Sequence, residues 1–121
     1  GKNLASINKS SSLETRSRLI LDSVTKQNET NVASAWSSYQ SNKSLLNSVQ
    51  AQVRAAEIAN EGISAEYNSG AGRTTLEVIQ SNSLLLNAQI SLANSERNFI
   101  LSQFNLLKSI GLLHSEYLKI K

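Results

Sequence analysis

From Val32 to Tyr67 the chain repeats a single pattern without a break. Val32, Ala35, Tyr39, Asn42, Leu46, Val49, Val53, Ala56, Asn60, Ile63 and Tyr67 follow one another in alternating steps of three and four. A sustained 3.5-residue period is the seam of a left-handed coiled coil. It leaves little room for any fold but long helices. Asn42 and Asn60 interrupt the seam with amides, which fix register at a cost in stability. A second, shallower stripe runs through Ala51, Ile58 and Ala65. Upstream, Leu13, Ile20, Leu21 and Val24 continue the helical pattern less regularly. One helix is expected from about residue 10 to about 67, frayed or bent near Ser10-Ser11-Ser12.

The helix stops at Tyr67-Asn-Ser-Gly-Ala-Gly-Arg-Thr-Thr-Leu-Glu-Val78. Gly70 and Gly72 allow backbone conformations that a side chain would forbid. Thr74 or Thr75 then caps a fresh helix, and Glu77 stands three residues after Thr74, the spacing of a capping box. The tip spans 68–73, and a second helix is expected from about 74 to 110. This arrangement predicts an all-α fold, a long antiparallel helical hairpin. Gly111 reads as the helix end, with a short extra turn in the tail of 111–121.

The second arm carries two apolar stripes. One is Leu76, Ile79, Ser83, Leu86, Ile90, Ala93, Arg97, Ile100, Phe104 and Leu107; the other is Val78, Leu85, Leu92, Phe99, Leu106 and Leu113. Two seams imply neighbours on two sides, as in the wall of a bundle or tube. Gln80, Asn87, Asn94, Asn98, Gln103 and Asn105 are left to face water. The first arm is longer by roughly 20 residues, on the order of 30 Å. An isolated hairpin leaves that overhang and its outer stripes unburied, which calls for copies of itself or for disordered first turns.

Composition agrees. There is no proline, cysteine or methionine, and aromatic residues make up 5% of the chain. Interior prolines would each cost about 3 kcal/mol in a helix. Without cysteine there is no disulfide framework and no thiolate metal site. The net charge is +3, with its excess early in Lys2, Lys9, Arg16, Arg18 and Lys26. These charges are spread and not interleaved with aromatics, so they read as a solvated helix face rather than a nucleic-acid footprint. No apolar run approaches the roughly 18 residues of a membrane span. The opening Gly1-Lys2-Asn3, without a leader-like segment, reads as the start of a cut fragment.

Chemistry is scarce. His114 is the only histidine, so one chain holds no histidine pair or metal cluster. Glu57, Glu61 and Glu66 read as a solvated helix face. No serine stands in a triad pattern, and Gly70-Ala-Gly72-Arg73 lacks the lysine and preceding strand of a phosphate-binding loop. No enzyme, catalytic residue, metal or cofactor is expected.

Tyr67, the glycines, Arg73-Thr74 and Leu76-Glu77-Val78-Ile79 together resemble the C-terminal repeat of TolC-type outer-membrane efflux ducts. Ala35-Trp36-Ser37-Ser38-Tyr39 is similar to that family's Ala-Trp segment in the descending helix. Asn87-Ala88-Gln89 with Leu92 and Ala93, and Gln103 through Leu113, resemble its ascending helix and closing Gly-x-Leu motif. The order and spacing of the motifs carry the resemblance, which covers nearly the whole chain. One departure stands out: six steps separate Tyr67 from Arg73, one more than the common pattern. It leaves open which of Gly70 and Gly72 takes the family glycine's place.

The resemblance implies a fragment of a trimeric α-barrel, the periplasmic part of an outer-membrane protein in a Gram-negative envelope. It implies a tunnel for efflux or type I secretion, touching the membrane only through β-strands outside this segment. The tip would form the periplasmic entrance, with Tyr67 and Arg73 as gate residues. Gly70, Gly72 and Thr74 would meet a periplasmic adaptor that works with an inner-membrane transporter. Breaking gate contacts of Arg73 would shift a closed-to-open equilibrium by about tenfold or more. Two other readings stand beside it: the coiled-coil hairpin of a periplasmic adaptor (membrane fusion) protein, and a generic structural coiled coil. The latter does not explain the Gly-x-Gly-Arg-Thr tip.

Overall fold

The computed structural model describes the backbone over residues 2–120 and the side chains over 9–119; Gly1, where the fragment-like opening begins, lies outside the described residues. Two helices make up the fold, α1 over Lys2–Asn68 and α2 over Thr75–Ile120. No strand occurs among the described residues. The chain divides into two compact units, one of residues 37–104 and one of residues 1–36 with 105–121.

The unit of 37–104 is an antiparallel helical hairpin. Its α1 seam is the heptad read from the sequence: Tyr39, Asn42, Leu46, Ala56, Asn60 and Ile63 are half-buried, and Val49 and Val53 are buried. On α2 the inner seam is Val78, Leu85, Leu92 and Phe99, each half-buried. Between these large residues stand Ser81, Ala88, Ser95 and Ser102. The three serines are buried to 7% exposure or less. Serine reads as polar in a sequence, but here its small volume lets the two helices approach. Ser102 Oγ donates to the carbonyl of Phe99 at 2.7 Å, so its burial leaves no unmet donor. The Tyr39 and Phe99 rings stack with centroids 5.5 Å apart.

The two seam amides behave differently. Asn60 Nδ2 donates across the hairpin to Ser81 Oγ at 3.1 Å and to Asn82 Oδ1 at 2.7 Å. Asn42 Nδ2 instead turns back on its own helix, to the Ser38 carbonyl at 2.8 Å. Of the two amides expected to fix register, Asn60 is the one whose hydrogen bonds tie α1 to α2.

In the other unit the same three-four spacing runs through Leu21, Thr25, Asn28, Val32 and Ala35 on α1, with Ala35 buried. It meets Leu106, Ser109, Leu113 and Glu116 on α2. Tyr117 Oη donates to Glu29 Oε1 at 3.2 Å.

Both helices run further than the sequence reading placed them. α1 begins at Lys2 and passes through Ser10-Ser11-Ser12, where Thr15 Oγ1 donates to the Ser11 carbonyl. α2 does not end at Gly111; it continues to Ile120, and the expected separate tail is helix. A glycine inside a helix costs about 1 kcal/mol relative to alanine. Ending the helix there would take Leu113 and Glu116 out of the seam, and half-burying a leucine recovers about as much.

Candidate functional site

The tip connecting the helices lies wholly within the unit of 37–104. Backbone forces build it first. The last carbonyls of α1 have no intrahelical partners; here the Glu66 carbonyl accepts from Ala71 N–H at 2.9 Å and from Ser69 Oγ at 3.0 Å. Gly70 and Gly72 both hold positive φ, 78° and 89°. Both glycines therefore turn the chain. Thr74 is the N-cap of α2: Glu77 N–H donates to Thr74 Oγ1 at 3.2 Å, and Thr74 N–H donates to Glu77 Oε2 at 3.1 Å. The capping box expected from the spacing is formed.

The expected site residues meet partners on this framework. Arg73 Nε donates to Glu66 Oε2 at 2.5 Å, and an Nη of Arg73 lies 3.8 Å from Glu77 Oε2. The guanidinium thus sits between the acid at the end of α1 and the acid at the start of α2. Its pKa is raised above the ordinary arginine range, first by the hydrogen bond to Glu66 and then by that carboxylate's charge. Tyr67 does not close the heptad seam. It is 42% exposed, and its hydroxyl lies 3.1 Å from Thr75 Oγ1. Gly70, Gly72 and Thr74 are exposed at the turn.

Glu66 is the residue that sequence reading missed. Grouped with Glu57 and Glu61 it looked like part of a solvated face. The signal was available: an acid in the last turn of a helix opposes the helix dipole, and α1 has no basic residue in that turn. Such an acid calls for a cation from beyond the turn, and Arg73 supplies it. Beside this pair a groove of about 240 Å³ is lined by Ala56, Ala59, Ile63 and Leu84 together with Arg73 and Glu77.

Among the described residues no group of three or more acids, histidines or cysteines is placed to hold a metal ion. No helix over those residues is long and apolar enough to cross a membrane.

Over all 121 residues the chain is 26% identical to a protein of Brucella suis biovar 1 (strain 1330) named Outer membrane efflux protein BepC. The match covers 26% of that protein, so the chain spans about a quarter of the length of the curated relative it resembles. No protein-family profile matches the chain, and no solved structure does.

Proposed function

We propose that the chain is a wall hairpin of a periplasmic duct leading to an outer-membrane pore for efflux or type I secretion. The observation that carries this reading is the outward face of α2. In the unit of 37–104, Leu76, Ile79, Leu86, Ile90, Ile100 and Phe104 recur at heptad spacing and are each 50–67% exposed. A helix that already has an inner seam needs no second one unless another helix covers it. The outward face of α1 is its counterpart in size: Ser37, Ser41, Ser44, Ser48, Ala51, Ala55, Gly62 and Ala65 are all exposed, with Ile58 the one large residue among them. Large residues on one edge and small ones on the other suit side-by-side hairpins, each edge meeting the unlike edge of the next. Repeated around an axis at an angle that closes, such a contact builds a ring. Similarity to an outer-membrane efflux protein across the whole chain supports the same reading.

In this reading the longer protein assembles as a homotrimer, and the hairpin tip stands at the periplasmic entrance. Arg73 and Tyr67 are the gate residues there. Gly70, Gly72 and Thr74, exposed at the turn, meet a periplasmic adaptor that couples the duct to an inner-membrane transporter. The parent's β-strands, not these helices, cross the membrane.

Two substitutions in that longer protein test the reading. Ile90→Asp places a charge in the outer seam without touching the inner one, and it should abolish the trimer on native electrophoresis in detergent. A trimer of unchanged yield would overturn the wall position. Arg73→Ala should raise the closed-state current in a planar bilayer by about tenfold, and an unchanged current would sink the gate role.

A further inference from the structure

We propose that Glu66 is the positioning residue of this gate: it holds Arg73 on its own hairpin, so that an acceptor on a neighbouring hairpin engages Arg73 only in competition with Glu66. The inference rests on the gate reading above.

The geometry makes Glu66 the hub of the turn. Its carbonyl accepts from Ala71 N–H and Ser69 Oγ, and its carboxylate accepts from Arg73 Nε. Glu77 is the lesser partner. Its Oε2 already accepts from Thr74 N–H, and it stands 3.8 Å from the guanidinium. Dipole effects separate the two acids further. At the start of α2 a carboxylate is favoured without help, whereas at the end of α1 it is disfavoured until a cation arrives. Glu66 therefore gains more from Arg73 than Glu77 does.

A guanidinium has five N–H donors in a planar fork, and it grips an outside carboxylate best through two parallel bonds. Here the Nε edge is occupied by Glu66, and the side chain is 40% exposed. A neighbour's carboxylate or carbonyl can reach the Nη edge at once, but the Nε edge only when Glu66 lets go. The hairpin thus carries an internal acceptor that weakens the grip between hairpins. Half-exposed pairs of this kind are modest, so the expected bias is about two- to fivefold in the closed-to-open ratio.

The test is single-channel recording of the longer protein with Glu66→Gln, Arg73→Ala and both together. Glu66→Gln keeps the side chain's size and frees Arg73, so it should lower the fraction of time open about two- to fivefold. On the Arg73→Ala background it should change nothing, and Glu66→Asp should restore much of the wild-type behaviour. A merely structural Glu66 would loosen the turn when replaced and raise the open fraction, as Arg73→Ala does. If Arg73→Ala opens the channel but Glu66→Gln leaves it unchanged or opens it, this inference is overturned and the gate reading survives. If Arg73→Ala itself has no effect, both fall. The pair is also checked directly on the chain: the Arg73 Nε–H resonance should be slow to exchange with solvent and be lost in Glu66→Gln. Rapid exchange in the unaltered chain would remove the basis of the proposal.

Discussion

Asn60 is the sharpest point at which to test how this hairpin is held. Replacing it with alanine deletes the donors to Ser81 Oγ and Asn82 Oδ1. Asn82 is exposed and regains water. Ser81, at 7% exposure, cannot do so readily. One lost neutral hydrogen bond and one stranded hydroxyl together cost about 2 kcal/mol. An unfolding entropy near 2.1 cal/mol/K per residue gives about 0.25 kcal/mol/K for 121 residues, so Tm should fall by about 8 °C. The assay is thermal unfolding by far-ultraviolet circular dichroism. Ser81→Ala added to Asn60→Ala should recover part of the loss, because it removes the stranded hydroxyl. Asn42→Leu is the control. Asn42 donates only within α1, so a half-buried leucine there should raise stability by about 1 kcal/mol. If Asn42→Leu and Asn60→Ala lower Tm alike, the assignment of the cross-helix tie to Asn60 is wrong.

Two further outcomes follow from the fold. Gly70→Ala and Gly72→Ala, each at positive φ, should destabilise by about 1 kcal/mol apiece. Gly62→Ala, where an added Cβ meets nothing within 4 Å, should stabilise by a similar amount. Thermal unfolding compares all three. Tyr117 titrates above its ordinary 10.0, first because its hydroxyl donates to Glu29 and then because of that carboxylate's charge. The tie stabilises the fold below the ordinary tyrosine range and is lost as pH rises through the raised value. Ultraviolet titration of Glu29→Gln should return Tyr117 toward the ordinary value.

Much of this was legible in the residues. The α1 heptad from Val32 to Ile63 is the observed seam, and the Thr74–Glu77 spacing is the observed cap. On α2 both apolar stripes could be read, but not which of them faces α1. The denser one, through Leu76, Ile79, Leu86 and Ile90, faces outward. Inner position went to the stripe whose gaps are filled by Ser81, Ala88, Ser95 and Ser102, because close approach rewards small volume and hydropathy does not record it. Gly111 misled for a related reason: its local preference is outweighed by the seam on either side. Glu66 was hidden because its partner lies across a turn, where helical spacing says nothing.

The inner seam of α2 has one more property. Its layers repeat at a fixed interval: a large residue at Val78, Leu85, Leu92 and Phe99, a small one at Ser81, Ala88, Ser95 and Ser102. Such a surface nearly coincides with itself after translation by seven residues, about 10.5 Å along the axis. Shape therefore distinguishes poorly between the native alignment and its shifted images, and a collapsing chain meets several of almost equal apolar energy. Two things break that symmetry. A shift by one repeat sets Ala88, which has no hydroxyl, or Thr74, which lies in the turn, where Asn60 requires Ser81. The residues between Asn68 and Thr75 are too few to absorb such a shift without unwinding a helix end. Alignment of the hairpin is thus encoded by one amide and one turn, and the long apolar seam adds strength to whichever alignment those two select.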